Sequence, residues 1–311
     1  MVSADLYVFT ARFNPLRWTT PDRHYHEWAA HVLASGAKLV VVEVQYGQRD
    51  FTCKVEGATH IGLRADSWAW SKESALNEGI RRTPEAQYIA WGDADVWHRR
   101  PDWAAETVEL LQHYRIIQTW SQALDLGPRH DLLGVHHSFC SLYQGGAPVV
   151  ADGPRPWKST GGYHEYPHTG YFWACRRDFF DATGGLIEIA GMGSADHHMA
   201  LGLVGAIERS WPAGTSDSYK AHLLRWQARA RGFVNGRIGA VDGLIEHRFH
   251  GAKVKRGYID RWALFIEHGF DPDTDLVRNS HGVIEWAGNK PAMELAWDQY
   301  LHSRREDDNF V

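Results

Sequence analysis

"AQYIAWGDADVW", residues 86–97, decides how the rest of the chain is read. A mostly apolar run, Tyr88 to Trp91, meets a glycine and then two aspartates one residue apart. The apolar run predicts a buried strand and Gly92 its end. Carboxylates beside a buried strand are costly unless something offsets their charge. A hard divalent cation takes carboxylate oxygens, so Asp93 and Asp95 are candidate metal ligands.

Outward from this strand the pattern repeats. "DLYVFTARF" (5–13) predicts a strand ended by the turn signal Asn14-Pro15, and 21–36 predicts a helix with Trp28, Val32 and Leu33 on one face and Gly36 as its stop. Residues 38–47, "KLVVVEVQYG", form a β-branched run that predicts a second strand. A helix is expected over 66–80 with Ser67 or Asp66 as cap, another over 102–114, and a strand over 115–120. Strands alternating with helices predict an α/β protein with a mainly parallel sheet covered by helices, whose ligands bind at the carboxyl ends of the strands.

Residues 125–170 are rich in Gly, Pro, Ser and His and predict a long irregular loop or lid. Regularity resumes at 170–185, a helix is expected at 195–207, and a packed helix with a charged end closes the chain.

The 311 residues suffice for one large domain or two small ones. With 44% hydrophobic and 23% charged residues and 15 tryptophans, the chain reads as globular. A formal net charge of -5 gives no global attraction to nucleic acid or an acidic membrane. Three separated cysteines without a C-x-x-C argue against a disulfide framework and for a reducing, cytoplasmic setting. No signal peptide or membrane span is read.

Two further stretches bear chemistry. In "EHRFHGAKVKRGY" (246–258), His247 and His250 could ligate a metal, Gly251 could let backbone approach a phosphate, and Lys253, Lys255 and Arg256 could neutralise it; a basic surface loop is the plainer alternative. In "GSADHHMA" (193–200), Asp196 is either a helix cap or a general base. The Asp-x-Asp pairs of "FDPDTDL" (270–276) have no strand before them and read as solvated turn aspartates. The His-Glu-x-x-His spacing of zinc hydrolases is absent.

The run "SKESALNEGIRRTPEAQYIAWGDADVW" (71–97), with Asn77, Gly79 and Ile80 ahead of the Asp-x-Asp strand, resembles the GT-A class of nucleotide-sugar glycosyltransferases. "GYFWACRRDFFDATGG" followed by "GSADHHMA" resembles the acceptor half of that fold, and "HRFHGAKVKRGY" a late segment of its metal-dependent members, without the Pro-Trp that often follows the lysine. The chain is also similar to phage-encoded glycosyltransferases in Phe13 to Pro15, Trp70 to Glu73, His250-Gly251 with Arg256, Tyr258 and Arg261, and Phe270 to Leu276.

The resemblance implies a single GT-A (Rossmann-like) domain over 1–311, with a mixed, mainly parallel sheet and helices on both faces. Residues 1–120 would form the nucleotide-sugar half, 121–260 the acceptor half and late segment, and 261–311 a helical extension. It implies Mn²⁺ or Mg²⁺ held by Asp93, Asp95 and His250, with His247 as substitute. A UDP-sugar would meet Thr10, Arg12, Asn14, Lys72, Asn77, Gly251, Lys253 and Arg256. Asp196 would be the base of an inverting reaction, with Trp173 and His197 on the acceptor side. The phage-type likeness implies a hydroxymethylated pyrimidine in DNA as acceptor, met by Arg129, His130, His136, His137, Arg155, Trp157 and Lys158. A glycan, protein or small-molecule acceptor, a nucleotide-sugar hydrolase and a sugar-binding protein on the same fold remain alternatives.

Overall fold

The computed structural model describes residues 5–150, 159–160, 163–257 and 260–308. The side chains of residues 159, 160, 163–165, 253, 254 and 260 are also outside that description. Arg155, Trp157, Lys158 and Tyr258 therefore lie outside the described residues, as does the Lys253 side chain.

The strands are β1 (Leu6–Phe13), β2 (Lys38–Tyr46), β3 (Thr59–Ala65), β4 (Tyr88–Gly92), β5 (Val96–His98), β6 (Ile116–Gln118), β7 (Gln122–Leu126), β8 (Leu132–Ser138), β9 (Ser159–Thr160), β10 (Tyr163–His168), β11 (Phe172–Arg176), β12 (Gly239–Ala240), β13 (Leu244–His247), β14 (Leu276–Arg278) and β15 (Ile284–Trp286). The helices are α1 (Thr19–Ala34), α2 (Lys72–Arg81), α3 (Trp103–Leu110), α4 (Phe139–Gln144), α5 (Arg177–Thr183), α6 (Ala195–Leu203), α7 (Asp217–Val234), α8 (Asp260–Glu267), α9 (Pro272–Asp275) and α10 (Pro291–Ser303).

The main sheet has the order β12-β6-β11-β4-β1-β2-β3. β1 is parallel to β2 and β4, β2 to β3, and β6 to β12; only β11 runs against its neighbours. This is the α/β architecture with a mixed, mainly parallel sheet that the alternating pattern predicts. From β1 the chain builds outward to β2 and β3 and then returns to lay β4 on the other side of β1. The crevice between the carboxyl ends of β1 and β4 is therefore the switch point where such sheets bind ligands.

Strand alternation divides the core between the two faces. Leu6 and Val8 of β1 pack with Tyr25, Trp28, Ala29 and Val32 of α1 and Trp103 of α3. Phe9 points the other way, to Leu76 and Ile80 of α2 and Phe179 of α5. Each fully buried aromatic or branched side chain contributes roughly 1.5–3 kcal/mol. Gly79 lets α2 approach β2, because a Cβ there would lie 2.4 Å from Val42 Cγ2.

Three expectations are corrected. α2 begins at Lys72, not near Ser67. The predicted irregular loop holds regular structure: β7 runs into it, β8, α4, β9 and β10 fall within it, and a second sheet forms in the order β5-β13-β7-β8-β10-β9. Its histidines hid the strand alternation, because His136 is buried like an apolar residue. Asp271 does cap the turn-like α9, accepting from Asp273 N at 2.9 Å, but Asp275 is buried against Lys290 at 2.8 Å. Among the described residues, no helix is long and apolar enough to cross a membrane.

Candidate functional site

At Gly92, the last residue of β4, only glycine fits: a Cβ there would lie 2.1 Å from the Phe172 ring of β11. The chain turns, and the Asp93 N–H donates to the Tyr171 carbonyl at 3.1 Å. Asp95 stands one residue before β5, which pairs antiparallel with β13 so that Val96 faces His247. The Arg248 N–H donates to the Asp95 carbonyl at 2.9 Å. On its other edge β13 runs parallel to β7, with His247 opposite Asp125. Strand register thus gathers Asp95, Asp125 and His247 from three distant segments, and the turn after β13 brings His250.

Asp95, His247 and His250 each offer a ligand atom, all within 4.8 Å of one another. His250 Nε2 lies 2.6 Å from Asp95 Oδ2, and His247 Nε2 lies 3.8 Å from the same oxygen. His247 Nδ1 donates to Asp125 Oδ1 at 2.9 Å, which leaves the Nε2 lone pair facing Asp95. Burial, outweighing the pull of Asp125 and Asp95, pushes the His247 imidazole down to about 4, so it is neutral near pH 7. Burial alone would raise the Asp95 carboxyl, but His250, His247 and Arg256 hold it well below the usual carboxylate range.

The arrangement fits a divalent cation. Asp95 Oδ1 is buried without a hydrogen bond. His250 Nε2 is approached at once by the acceptor Asp95 Oδ2 and, at 2.8 Å, by the donor Arg256 Nη2. One ring nitrogen cannot donate to the first while accepting from the second. An ion between carboxylate and lone pair would satisfy both ligands. An imidazole whose second nitrogen donates to a carboxylate, as His247 does to Asp125, is the usual outer support of such a ligand.

Asp125 carries more than this histidine. Its Oδ1 also accepts from the Tyr171 hydroxyl at 2.7 Å, and His136 Nε2 contacts its Oδ2. Tyr171 holds this position with a left-handed backbone, φ 74°.

The trio opens on a cleft of about 1410 Å³. On its floor Lys72 pairs with Asp93. Burial would lower the Lys72 ammonium, but Asp93, Glu73 and Asp196 outweigh it and raise it. Glu73, buried beside these groups, is pushed up to about 7 by desolvation and the charge of Asp196, with Lys72 opposing. Asp196 lies in the first turn of α6, and its Oδ2 occupies the space beside Gly170 that a Cβ, 2.9 Å away, would close. Next to it, His197 Nδ1 lies 3.2 Å from the Tyr166 hydroxyl.

Arg12, Asn14, Lys72, Asp93, Asp95, Asp196, His197, His250, Gly251 and Arg256 all line this cleft. Arg12 is paired with Asp22 at 2.8 Å, and Asn14 is bonded to Trp18 and Asp22. Asp93 stands outside the ligand trio, and His247 joins His250 rather than substituting for it.

Thr10, Asn77 and Trp173 do not line the cleft. The Thr10 hydroxyl donates to the Gly92 carbonyl at 3.1 Å, tying β1 to β4. Asn77 is fully buried, with its amide committed to Leu186 and Glu188. Trp173 is a core residue that donates to the Thr169 carbonyl at 2.7 Å. His136, expected on a DNA-facing surface, is buried against Asp125; Arg129 and His130 are exposed.

Asp125, Glu73 and Glu306 were not found by sequence reasoning. Asp125 left no local signal: alternation in a strand turns it to the face opposite Leu124 and Leu126, where solvent is the default, and it is buried because β7 sits between β8 and β13.

No protein-family model and no curated protein matches the chain. Among solved structures, the catalytic domain of Drosophila beta1,4-galactosyltransferase 7, in complex with xylobiose, is 11% identical with a TM-score of 0.41, over 93% of this chain and 98% of that one. HddC from Yersinia pseudotuberculosis is 6% identical with a TM-score of 0.32, over 56% and 77%. A protein of Desulfovibrio desulfuricans G20 assigned as a nucleotide-diphospho-sugar transferase is 11% identical with a TM-score of 0.30, over 97% of each chain. At these TM-scores the likenesses transfer no residue role or activity to this chain.

Proposed function

We propose that the protein is a metal-dependent glycosyltransferase of the GT-A class, moving a sugar from a UDP-sugar to a hydroxyl acceptor. The observation that carries this reading is the Asp95–His247–His250 trio, two buried imidazoles on a half-buried carboxylate, which Asp95 places just past the end of the switch-point strand β4 and which opens on a cleft shared with Lys72, Arg256 and Asp196. Two imidazoles favour a transition ion over Mg²⁺, and Mn²⁺ is the transition ion that also suits the oxygen ligands a carboxylate and a diphosphate supply.

A bound divalent ion would supply a positive charge for the diphosphate. Departure of a nucleoside diphosphate builds negative charge on the leaving oxygen, and fixed cations stabilise that charge more in the transition state than in the ground state. Arg256 and Lys72 line the cleft and supply such charge. Arg12 and Asn14, at the end of β1, suit the nucleotide side. Asp196, beside His197 and Tyr166, is the residue to take a proton from the acceptor hydroxyl in an inverting transfer. Asp196→Asn is expected to lower kcat by roughly 10²- to 10⁴-fold with donor affinity retained; an unchanged kcat removes Asp196 as the base.

The acceptor we propose is a 5-hydroxymethylpyrimidine in DNA, a reading supported by the phage-type sequence resemblance. It is tested by incubating the protein with Mn²⁺, a panel of UDP-sugars, and DNA with or without 5-hydroxymethylcytosine or 5-hydroxymethyluracil, then weighing the digested nucleosides. A hexose-sized gain on modified DNA alone supports both reaction and acceptor. UDP release without that gain retains donor cleavage and directs the search to glycans, proteins or water.

A further inference from the structure

We propose that the segment after α10, residues 304–308, is a docked strap that completes the metal centre, with Glu306 as the positioning residue for His250. The inference rests on the metal reading given above.

The segment is anchored at both sides of the site. The Asp307 carboxylate accepts from the backbone N–H groups of Thr19 at 2.9 Å and Thr20 at 2.7 Å. It thereby caps α1, whose own N-cap residue, Trp18, has no side chain able to do so. Asp308 pairs with Lys255 in the turn that follows His250. Just before the strap, the Tyr300 hydroxyl donates to the Arg256 carbonyl at 2.7 Å. Gly251 has φ +87°, and a Cβ there would lie 3.0 Å from the Arg305 carbonyl and 3.2 Å from Glu306 Cα. The residue following His250 therefore has to be small for the strap to seat.

Seating brings one carboxylate to the metal histidine. Glu306 Oε2 lies 3.6 Å from His250 Nδ1, a buried nitrogen with no hydrogen bond. Glu306 Oε1 is held at 2.5 Å by Arg304, whose guanidinium sits over Trp70. A histidine that gives its Nε2 lone pair to a metal carries its proton on Nδ1 and needs an acceptor there. Asp125 meets that need for His247. Glu306 is the carboxylate within reach for His250, and a small side-chain movement closes the remaining gap. Because the strap presents this acceptor, its docking and metal binding favour each other, and the coupling is reciprocal.

The test is Mn²⁺ titration by calorimetry on the full chain and its variants, with trimming of the tail by carboxypeptidase followed by mass spectrometry. Glu306→Ala should weaken Mn²⁺ binding by about 10- to 100-fold, while Glu306→Gln, whose amide oxygen still accepts a hydrogen bond from His250 Nδ1, should recover part of that loss. Asp307→Ala, remote from the ion, should weaken binding in the same direction by loosening the strap. Saturating Mn²⁺ should slow trimming of the wild-type tail past residue 308. Wild-type affinity in Glu306→Ala, or a trimming rate indifferent to Mn²⁺, overturns the proposal. A wild-type chain that takes up no Mn²⁺ overturns the metal reading, and the strap's role with it.

Discussion

Replacing Asp95 by alanine is expected to lower metal-dependent donor turnover by roughly 10³-fold or more, from the several kcal/mol that a bound ion contributes and about 1.4 kcal/mol per factor of ten. Asp95 is the only carboxylate in the ligand trio, and both histidines address its Oδ2. Without it, the site holds a neutral His247 and a His250 with Arg256 against it. Two imidazoles beside a guanidinium do not attract a divalent ion. Asp93 cannot substitute, because its carboxylate is engaged by Lys72. The measurement is UDP release across a Mn²⁺ series, with donor binding followed separately. Near-normal turnover in Asp95→Ala would falsify the metal assignment.

The second large effect is expected at Asp125, a residue that need not touch substrate. Asp125→Ala removes the shared partner of His247, His136 and Tyr171 from a buried position. Breaking a buried charged network by deleting one member costs about 3–5 kcal/mol, to be read from urea unfolding of the metal-free protein. Losing the outer support of a ligating histidine also weakens metal binding by about 10- to 100-fold. Asp125→Asn, which keeps one oxygen acceptor, should fall between. Wild-type unfolding by Asp125→Ala would show that the three contacts carry no net stabilisation. An unchanged Mn²⁺ affinity would show that His247 needs no orientation.

Much of the main sheet could be read locally. β1, β2 and β4 are apolar or β-branched runs ended by turn residues, and α1 buries residues at helical spacing, Tyr25, Trp28, Ala29 and Val32. β3 was missed because Gly62 interrupts its pattern. That glycine is needed, since a Cβ there would lie 2.7 Å from the Phe51 ring. The second sheet was missed because a histidine in a strand signals solvent unless its partner is known. For His136 the partner, Asp125, lies on the adjacent strand. Thr10, Asn77 and Trp173 sit in stretches that face the cleft, yet their side chains point into the packing behind it. A motif places the backbone near a site; the direction of each side chain is settled by the neighbouring strands and helices.

By itself the sequence determined the alternation of strands and helices, the end of β4 at Gly92, and the delivery of two carboxylates at that end. These follow from short-range rules: side-chain period, backbone freedom and the cost of an unpaired charge. Only the tertiary structure decided that His247 and His250 both meet Asp95, that Asp125 holds one of them across a separation of 122 residues, and that Glu306 stands behind the other. Those choices depend on the register of β5, β13 and β7 and on where the chain seats after α10. β13 joins β5 and β7 without a hairpin, so its register follows from which faces of all three strands are buried together, and no single stretch of residues encodes it.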